Sequence, residues 1–597
     1  MKKLILLKAL VFSCFFCFSA YAQKYESNWQ SLRRVQVPKW LQEGKFGIYT
    51  HWGVYAVHAH GSNTTWYSNE LYRNPHSEAR KHFEGKFGSL DSIGYKDLIL
   101  KFTAENFDAE EWAELFAKSG AKFAGPVAEH HDGFAMWDTQ YSNWNAAKMG
   151  PKRDVVGELE KAIKAKDMKF VTAFHHAANW FWYPVSDARY DTSNPKYADL
   201  YGQYHKPGDQ INEAFLDEWY HKIIEVIDNY GPDFIWFDFA LDDIAEGYVK
   251  DFMTYYYNDA LNKNKEVVIT YKGHDLIPGS GVRDLELGQE DQLTYNEWIT
   301  DNSVDDRGAW GWAENLTFKT PNRLIDNLVD RVSKNGYLLL NVGPKPDGTI
   351  PEGAKEVLLA MGTWLETNGE AIYGTSPWFI ASVGPTNLEE VGEIGFNESD
   401  QIYTPEDIRF TVKGDNLYAT FLDWPGDYAI IPVLRGDDPD VATGIEKYNT
   451  INPNDYKDVA TIAGHDFKVK VEDLGTVKLS FKENQKVIAT GGDFETKVNS
   501  GYYTQNGAEI FLETEEFEGY FVYDGETLHF TPEDLDTPVY RGFYKSEIKS
   551  ISLLGDDKPL DWSLTRHGLV IKTPQKKGNY AYVFKIERHH KPVFKKH

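Results

Sequence analysis

From about residue 45 to residue 343 the chain repeats one pattern: a short apolar run with no polar face, then a longer stretch whose apolar residues recur every three or four positions. The short runs fall at 46–51, 123–130, 170–175, 234–238, 267–272, 283–287, more weakly at 310–312, and at 337–342. Phe234-Ile-Trp-Phe237 is apolar at every position, as a strand covered on both faces must be. The intervening stretches read as amphipathic helices. Phe215, Trp219 and Ile223 form one stripe, closed by Gly231 at a C-terminal cap position; Val155, Leu159 and Ile163 form a second; Leu324, Leu328 and Val332 form a third, ending at Gly336. Strands alternating with helices imply parallel βαβ units. No G-x-G-x-x-G opens a helix after the first strand, so the pattern predicts an α/β fold of the (β/α)8-like barrel type rather than a doubly wound sheet.

After Tyr373 the period shortens to two. Stretches at 408–412, 416–421, 478–481, 508–512 and 580–585 are short and rich in β-branched or aromatic residues, with Gly, Asp, Asn and Pro between them. The expected organisation is therefore a barrel over 23–374 and a C-terminal all-β sandwich region over 375–597. Within the latter, about 426–545 reads as an inserted β module. Residues 1–22 read as a secretory leader: Lys2 and Lys3 precede an apolar run too short for a membrane span, and Ala20-Tyr21-Ala22 offers the small-x-small cleavage pattern. The expectation is export to a periplasm, a cell surface or the medium, with no membrane span.

Both cysteines, Cys14 and Cys17, lie inside that leader, so the mature chain has no disulfide, thiolate metal site or cysteine nucleophile. Its net charge of −27, which becomes −30 when Lys2, Lys3 and Lys8 leave with the leader, repels phosphate backbones and anionic lipid. Nucleic acid is thereby excluded as a partner. Aromatic residues make up 15% of the chain, and their faces suit the apolar faces of sugar rings as well as cores.

The polar residues are concentrated where the predicted strands end. His51, His130-His131, His175-His176, Asp238, Lys272, Glu286 and Glu290 all lie at or just past a strand's C-terminal end, the end at which a barrel gathers its catalytic groups. Asp238, directly after the most apolar run, is the leading candidate because an ionised carboxylate placed there must be paired or open to a cleft. Two chemistries compete for the set. Metal-assisted hydrolysis would use the histidines, but there is neither a His-x-His at the end of the first strand nor a Glu-x-x-His helix, and His58-Ala-His60 lies in a loop. Glycoside hydrolysis would use two carboxyl groups, with histidines and tryptophans holding sugar hydroxyls and ring faces. It needs no cofactor, and none is expected.

Several motifs in order resemble glycoside hydrolase family 29, the retaining α-L-fucosidases. They are Phe46-Gly-Ile-Tyr-Thr-His-Trp-Gly53, Trp66-Tyr67, Glu129-His-His-Asp-Gly-Phe134 with Trp137, Ile235-Trp-Phe-Asp238, and Asn335-Gly-Tyr-Leu-Leu-Leu-Asn-Val-Gly-Pro344, continuing through 364–373. The resemblance implies that Asp238 is the nucleophile, that His51, His130 and His131 bind sugar hydroxyls, and that Trp66 and Trp236 line the pocket. It departs from the family pattern at Phe174-His-His176, where His175 stands in for a sugar-contacting Tyr, and at Lys272, which stands where an Arg is common and is expected to contact substrate. The acid/base varies in position within the family. Glu286, flanked by Leu285 and Leu287, ranks first, Glu297 second beside Trp298 and Thr300, and Glu290 third. The implied partner is a fucosylated oligosaccharide or glycoprotein glycan. An α-L-galactosidase on the same fold, a catalytically silent glycan-binding protein and the metal hydrolase are the alternatives.

Overall fold

The computed structural model describes residues 24–386, 395–398, 401–436, 459–471, 474–495, 497–531, 541–556, 558–565 and 568–593. The leader and residues 387–394, 437–458 and 532–540 lie outside the described residues.

Eight parallel strands close into a barrel in sequence order: β1 (Phe46–Thr50), β2 (Phe123–Glu129), β3 (Lys169–Phe174), β4 (Phe234–Phe237), β5 (Val268–Lys272), β6 (Val282–Asp284), β7 (Trp298–Ser303) and β8 (Gly336–Val342). β8 closes on β1 with Ile48 opposite Leu340. Seven of these eight match apolar runs in the sequence. The exception is the run at 310–312, which is a loop; the seventh strand is Trp298–Ser303. That strand was hidden because Thr300, Asp301, Asn302 and Ser303 make it polar, yet all four are buried.

Alternation along each strand separates two cores. Tyr49, Phe123, Val127, Val171, Ala173, Phe234, Trp236, Val268, Val282, Ile299 and Leu339 fill the barrel interior. Ile48, Ala124, Phe170, Ile235, Ile269, Leu338 and Leu340 face outward and pack with the helices. Both faces are therefore apolar, and a one-residue slip in any strand would exchange the two sets. Gly125 in β2 is required by close approach: a Cβ there would lie 1.7 Å from the carbonyl oxygen of Val171.

The helices follow the predicted stripes. Glu213–Tyr230 buries Leu216, Trp219, Ile223, Val226 and Ile227 and ends on Gly231, whose φ of 53° suits its lack of a Cβ. Val155–Lys164 is capped by Asp154, which accepts the Gly157 N–H. The helix Pro321–Ser333 departs from a one-sided stripe, because everything from Leu324 to Ser333 is buried. Its outer face is covered by β9 (Ser376–Val383) and β10 (Ile408–Lys413), and the buried Asp330 there accepts from Arg409 Nε at 2.5 Å and Lys334 Nζ at 3.0 Å.

β9, β10 and β11 (Asn416–Phe421) are antiparallel neighbours in one sheet, joined by β25 (Tyr582–Arg588) beside β11. A second compact unit begins at Pro425. It holds a seven-stranded antiparallel meander from β14 (Asp466–Val471) to β20 (Leu528–Thr531), in which each strand pairs with the next. Val477, Leu479, Phe481, Val487, Ile510, Leu512 and Phe521 form its own apolar cluster.

One short piece of the chain returns to the barrel. Gly395 bridges Glu286 in parallel fashion; the Phe396 N–H donates to the Glu286 carbonyl at 2.7 Å and the Glu398 N–H to the Leu287 carbonyl at 2.8 Å. The buried Glu398 carboxylate anchors this strap, accepting from Lys319 Nζ at 2.7 Å and Asn327 Nδ2 at 2.7 Å. Lys319 and Arg323 outweigh its burial and lower its pKa to about 2.

Candidate active site

The interior set, extended two residues further along each strand, gives the site. Beyond Tyr49 comes His51, beyond Ala173 His175, beyond Trp236 Asp238, beyond Val282 Asp284, beyond Ile299 Asp301 and beyond Leu339 Asn341; Lys272 ends the fifth strand. The period of two turns all of these side chains toward the barrel axis, so an apolar barrel is capped by a polar layer at its C-terminal end. β2 is the exception, with an irregular register between Val127 and Glu129. Glu129 turns outward to the helix Glu213–Tyr230, where the buried Lys222 ammonium meets it at 3.0 Å and Asn179 Nδ2 donates to it at 3.2 Å. This buried pair belongs to the frame. Lys222→Met, which leaves Glu129 buried without its counter-charge, is expected to cost about 3–5 kcal/mol in chemical denaturation.

Asp238 sits just past β4 with its side chain 11% exposed. Its Oδ2 accepts from His175 Nδ1 at 2.8 Å, and His131 Nε2 lies 3.2 Å away. His131 is oriented by Nδ1, which donates to the His175 carbonyl at 2.7 Å. Burial alone would raise the Asp238 pKa, but the two imidazoles outweigh it and hold the carboxyl well below the usual carboxylate range. The His175 pKa is lowered too, because burial outweighs the pull of Asp238. A neutral His175 still donates its Nδ1–H, so the carboxylate keeps this partner whether or not the ring is charged.

His51 Nδ1 donates to Asn341 Oδ1 at 2.9 Å. The Asn341 amide is fixed in turn, because its Nδ2 donates to Ser303 Oγ at 2.9 Å and to the Trp310 carbonyl at 2.7 Å. The His51 and His130 rings lie 5.0 Å and 4.0 Å from that of His175. His130 Nδ1 and His175 Nε2 are buried with no hydrogen-bond partner among the described residues. Trp66, one-third exposed, packs edge-on against Trp182 at 4.9 Å and face-on against Phe239 at 6.0 Å, while Trp236 is buried in the floor.

Glu286 lies two residues past β6, with its side chain 18% exposed, and its Oε2 is 3.1 Å from Lys272 Nζ. Burial, opposed by Lys272 and assisted by Asp301 and Asp238, lifts its pKa to about 7. The other two glutamates are placed elsewhere. Glu297 immediately precedes β7 and so lies at the opposite end of the barrel, where it accepts from Gln42 Nε2 at 2.8 Å. The backbone carbonyl of Glu290 accepts from Lys334 Nζ at 2.8 Å, just ahead of β8, and so also lies toward that opposite end. Neither can reach a group held by Asp238, and both drop out as acid/base candidates. Lys272 is also placed differently from its expected role as a substrate contact: its ammonium is enclosed by Asp284, Asp301 and Glu286 and stands 4.9 Å over the Trp236 ring. Asp284, Asp301 and Asn341 are site residues that sequence reasoning missed; extending the two-residue alternation past each apolar strand would have found them.

Two sets of groups could ligate a cation: the ring nitrogens of His51, His130 and His175, and those of His131 and His175 with Asp238. In the second set the carboxylate oxygen is already hydrogen-bonded. His58 is consumed locally, donating from Nε2 to the Thr64 carbonyl at 3.0 Å while Nδ1 accepts the His60 N–H. A cavity of about 480 Å³, lined by Phe318, Arg323, Tyr403, Asp423 and Tyr580 among others, contains no residue of the polar layer.

Two carboxyl groups in unlike environments at the C-terminal mouth of a parallel eight-stranded barrel are the equipment of a glycoside hydrolase. The α-L-fucosidase family model matches residues 14–370. Tissue α-L-fucosidase of Rattus norvegicus is 31% identical over 411 residues, covering 68% of this chain and 80% of the relative. Plasma α-L-fucosidase of Homo sapiens is 31% identical over 427 residues, 68% and 81% of the two chains. The crystal structure of Thermotoga maritima α-fucosidase in complex with fucose superposes with a TM-score of 0.60 at 25% identity, covering 94% of this chain and all of that one. The chain belongs to the α-L-fucosidase family.

Proposed function

We propose that this protein is an exo-acting, retaining α-L-fucosidase that removes terminal α-L-fucose from glycans through a covalent intermediate on Asp238. The observation that carries the mechanism is the contrast between its two carboxyl groups. Asp238 is held ionised by His175 and His131, and Glu286 is held protonated near neutrality by burial. In the first step Asp238 attacks C1 of the sugar, the C1–O bond to the leaving group breaks, and the Glu286 proton passes to the departing oxygen. In the second, a water molecule gives its proton to Glu286 and attacks C1, releasing L-fucose and the Asp238 carboxylate. Two inversions give retention.

The orphaned His130 Nδ1 and His175 Nε2, with His51 beside them, support binding of adjacent sugar hydroxyls, since buried polar atoms are rarely left unpaired. Trp66, Phe239 and Trp182 supply an aromatic wall for the face that carries the sugar's methyl group. A relative solved in complex with fucose supports the choice of sugar. Export is part of this reading, since residues 1–22 have the form of a leader. No helix among the described residues is long and apolar enough to cross a membrane.

The test is L-fucose release from 4-nitrophenyl α-L-fucoside and an α-L-fucosyl disaccharide, with the L-galactosides as comparison, in EDTA and across pH. Turnover is expected to survive chelation. The group that must be protonated titrates near 7, so kcat/KM for the disaccharide, whose alcohol leaving group needs that proton, should fall above that pH. The group that must be ionised titrates well below the carboxylate range, so the acid side should stay flat to about pH 4. Loss of activity in EDTA, or a rate that rises through neutrality, would overturn the mechanism; preference for the L-galactosides would overturn the substrate.

A further inference from the structure

Four charged side chains meet beneath the sugar pocket, and only Lys272 carries a positive charge. Its Nζ lies 2.8 Å from Asp284 Oδ2, 2.9 Å from Asp301 Oδ1 and 3.1 Å from Glu286 Oε2. An ammonium has three protons, one for each carboxyl group, but its single charge can offset only one of them. Asp284, Asp301 and Lys272 are buried almost completely, so the other two carboxyls are driven toward their neutral forms.

The surroundings distinguish the three carboxyl groups. Asp301 accepts on both oxygens, from Lys272 on Oδ1 and from the Tyr49 hydroxyl on Oδ2 at 2.9 Å. Tyr49 is fully buried in the barrel interior, and burial is the chief cause holding its phenol proton in place. Apart from Lys272, Asp284 accepts the Asp301 backbone N–H on Oδ1 at 2.9 Å, and burial, with Asp301 beside it, raises its pKa well above the usual range. The charged groups facing Glu286 are Lys272 from β5, Asp301 from β7 and Asp238 from the end of β4. The strap brings one further carboxylate, Glu398, which Lys319 and Arg323 hold.

We propose that Asp301 is a positioning residue for the proton on Glu286: anchored by Tyr49, it engages the Lys272 ammonium and stands as a fixed negative charge beside the glutamate. Glu286 therefore enters the reaction as an acid, and Lys272 is at hand at 3.1 Å to receive it as a carboxylate once the proton has left. The inference rests on reading Glu286 as the acid/base.

The test is the pH dependence of kcat/KM for an α-L-fucosyl disaccharide, whose alcohol leaving group needs a proton, in the wild type, Asp301→Asn and Tyr49→Phe. With the negative neighbour neutralised, Lys272 is left to favour the ionised glutamate. The alkaline limb in Asp301→Asn should then move to lower pH by about one pH unit. Tyr49→Phe, which removes one hydroxyl from a packed core, should move it the same way by less, and it keeps the test alive if Asp301→Asn folds poorly. With α-L-fucosyl fluoride, whose leaving group departs unprotonated, the limb should be absent in all three proteins. A merely structural role would lower the rate at every pH and leave the limb in place; that result, or a shift to higher pH, overturns the inference. Glu286→Ala in the same series separates the two claims. If it hydrolyses the disaccharide normally, the acid/base reading falls and the inference with it. If it is impaired while the limb in Asp301→Asn and Tyr49→Phe does not move, the inference alone falls.

Discussion

Asp238→Gly is expected to lower kcat for 4-nitrophenyl α-L-fucoside by roughly 10⁴-fold or more, with little change in the thermal unfolding midpoint. The size of the loss follows from the role: without the carboxylate there is no covalent intermediate, and water must attack C1 directly. The fold should tolerate the change, because Asp238 lies past the end of β4, His131 keeps its bond to the His175 carbonyl, and the His175 ring stays packed against those of His130 and Trp236. The substitution also leaves a small space lined by His175 Nδ1–H and His131, which suits an anion. Azide entering it would attack from the side Asp238 used and give β-L-fucosyl azide, with a single inversion. Product stereochemistry by NMR therefore checks the assignment separately from the rate. An α-configured azide, or a variant as active as the wild type, would remove Asp238 from the nucleophile's role.

Glu286→Ala should fail differently. The disaccharide, with a poor leaving group, should lose roughly 10²–10⁴-fold in kcat/KM, and the nitrophenyl substrate far less, because nitrophenolate leaves without help. The fucosyl-enzyme then accumulates for want of a base. Azide, which needs none, should restore turnover and give the α-configured azide after two inversions. Stability should change little, since Lys272 keeps Asp284 and Asp301 as partners. Glu297→Ala and Glu290→Ala should match the wild type, since both residues sit toward the other end of the barrel. Equal loss on both substrates with no azide effect would mean that the acid/base lies elsewhere.

The barrel was legible because most of its strands are buried on two apolar faces and most of its helices on one. The position of Asp238 at the mouth was legible for a related reason, as the first polar residue after the most apolar strand. β7 was not, because its outward face meets polar chain rather than a helix. Thr300 Oγ1 there bonds the Leu285 and Gly288 carbonyls, and Asn302 bonds Lys319 and Glu398, the last of these nearly a hundred residues further on. Polar residues satisfied at such range leave no local periodicity. With β7 placed at 310–312, Glu297 fell in a loop after β6, beside Trp298 and Thr300, where it could stand as an acid/base candidate. Lys272 was misread for a similar reason: nothing in its own neighbourhood announces that Asp284, Glu286 and Asp301 will enclose it.

The strap at Gly395–Glu398 bears on where this enzyme could be cut. Residue 374 looks like a natural boundary, and every strand of the barrel lies before it. Yet the backbone that carries Glu286 is hydrogen-bonded to chain from beyond that point, and Glu398 is locked into the barrel by Lys319 and Asn327. The proposed nucleophile belongs wholly to the first half of the molecule, whereas the proposed proton donor is braced by the second. A barrel excised at 374 would keep Asp238 and its two imidazoles and lose the brace of Glu286. In this chain, catalysis does not respect the boundary between the barrel and its C-terminal extension.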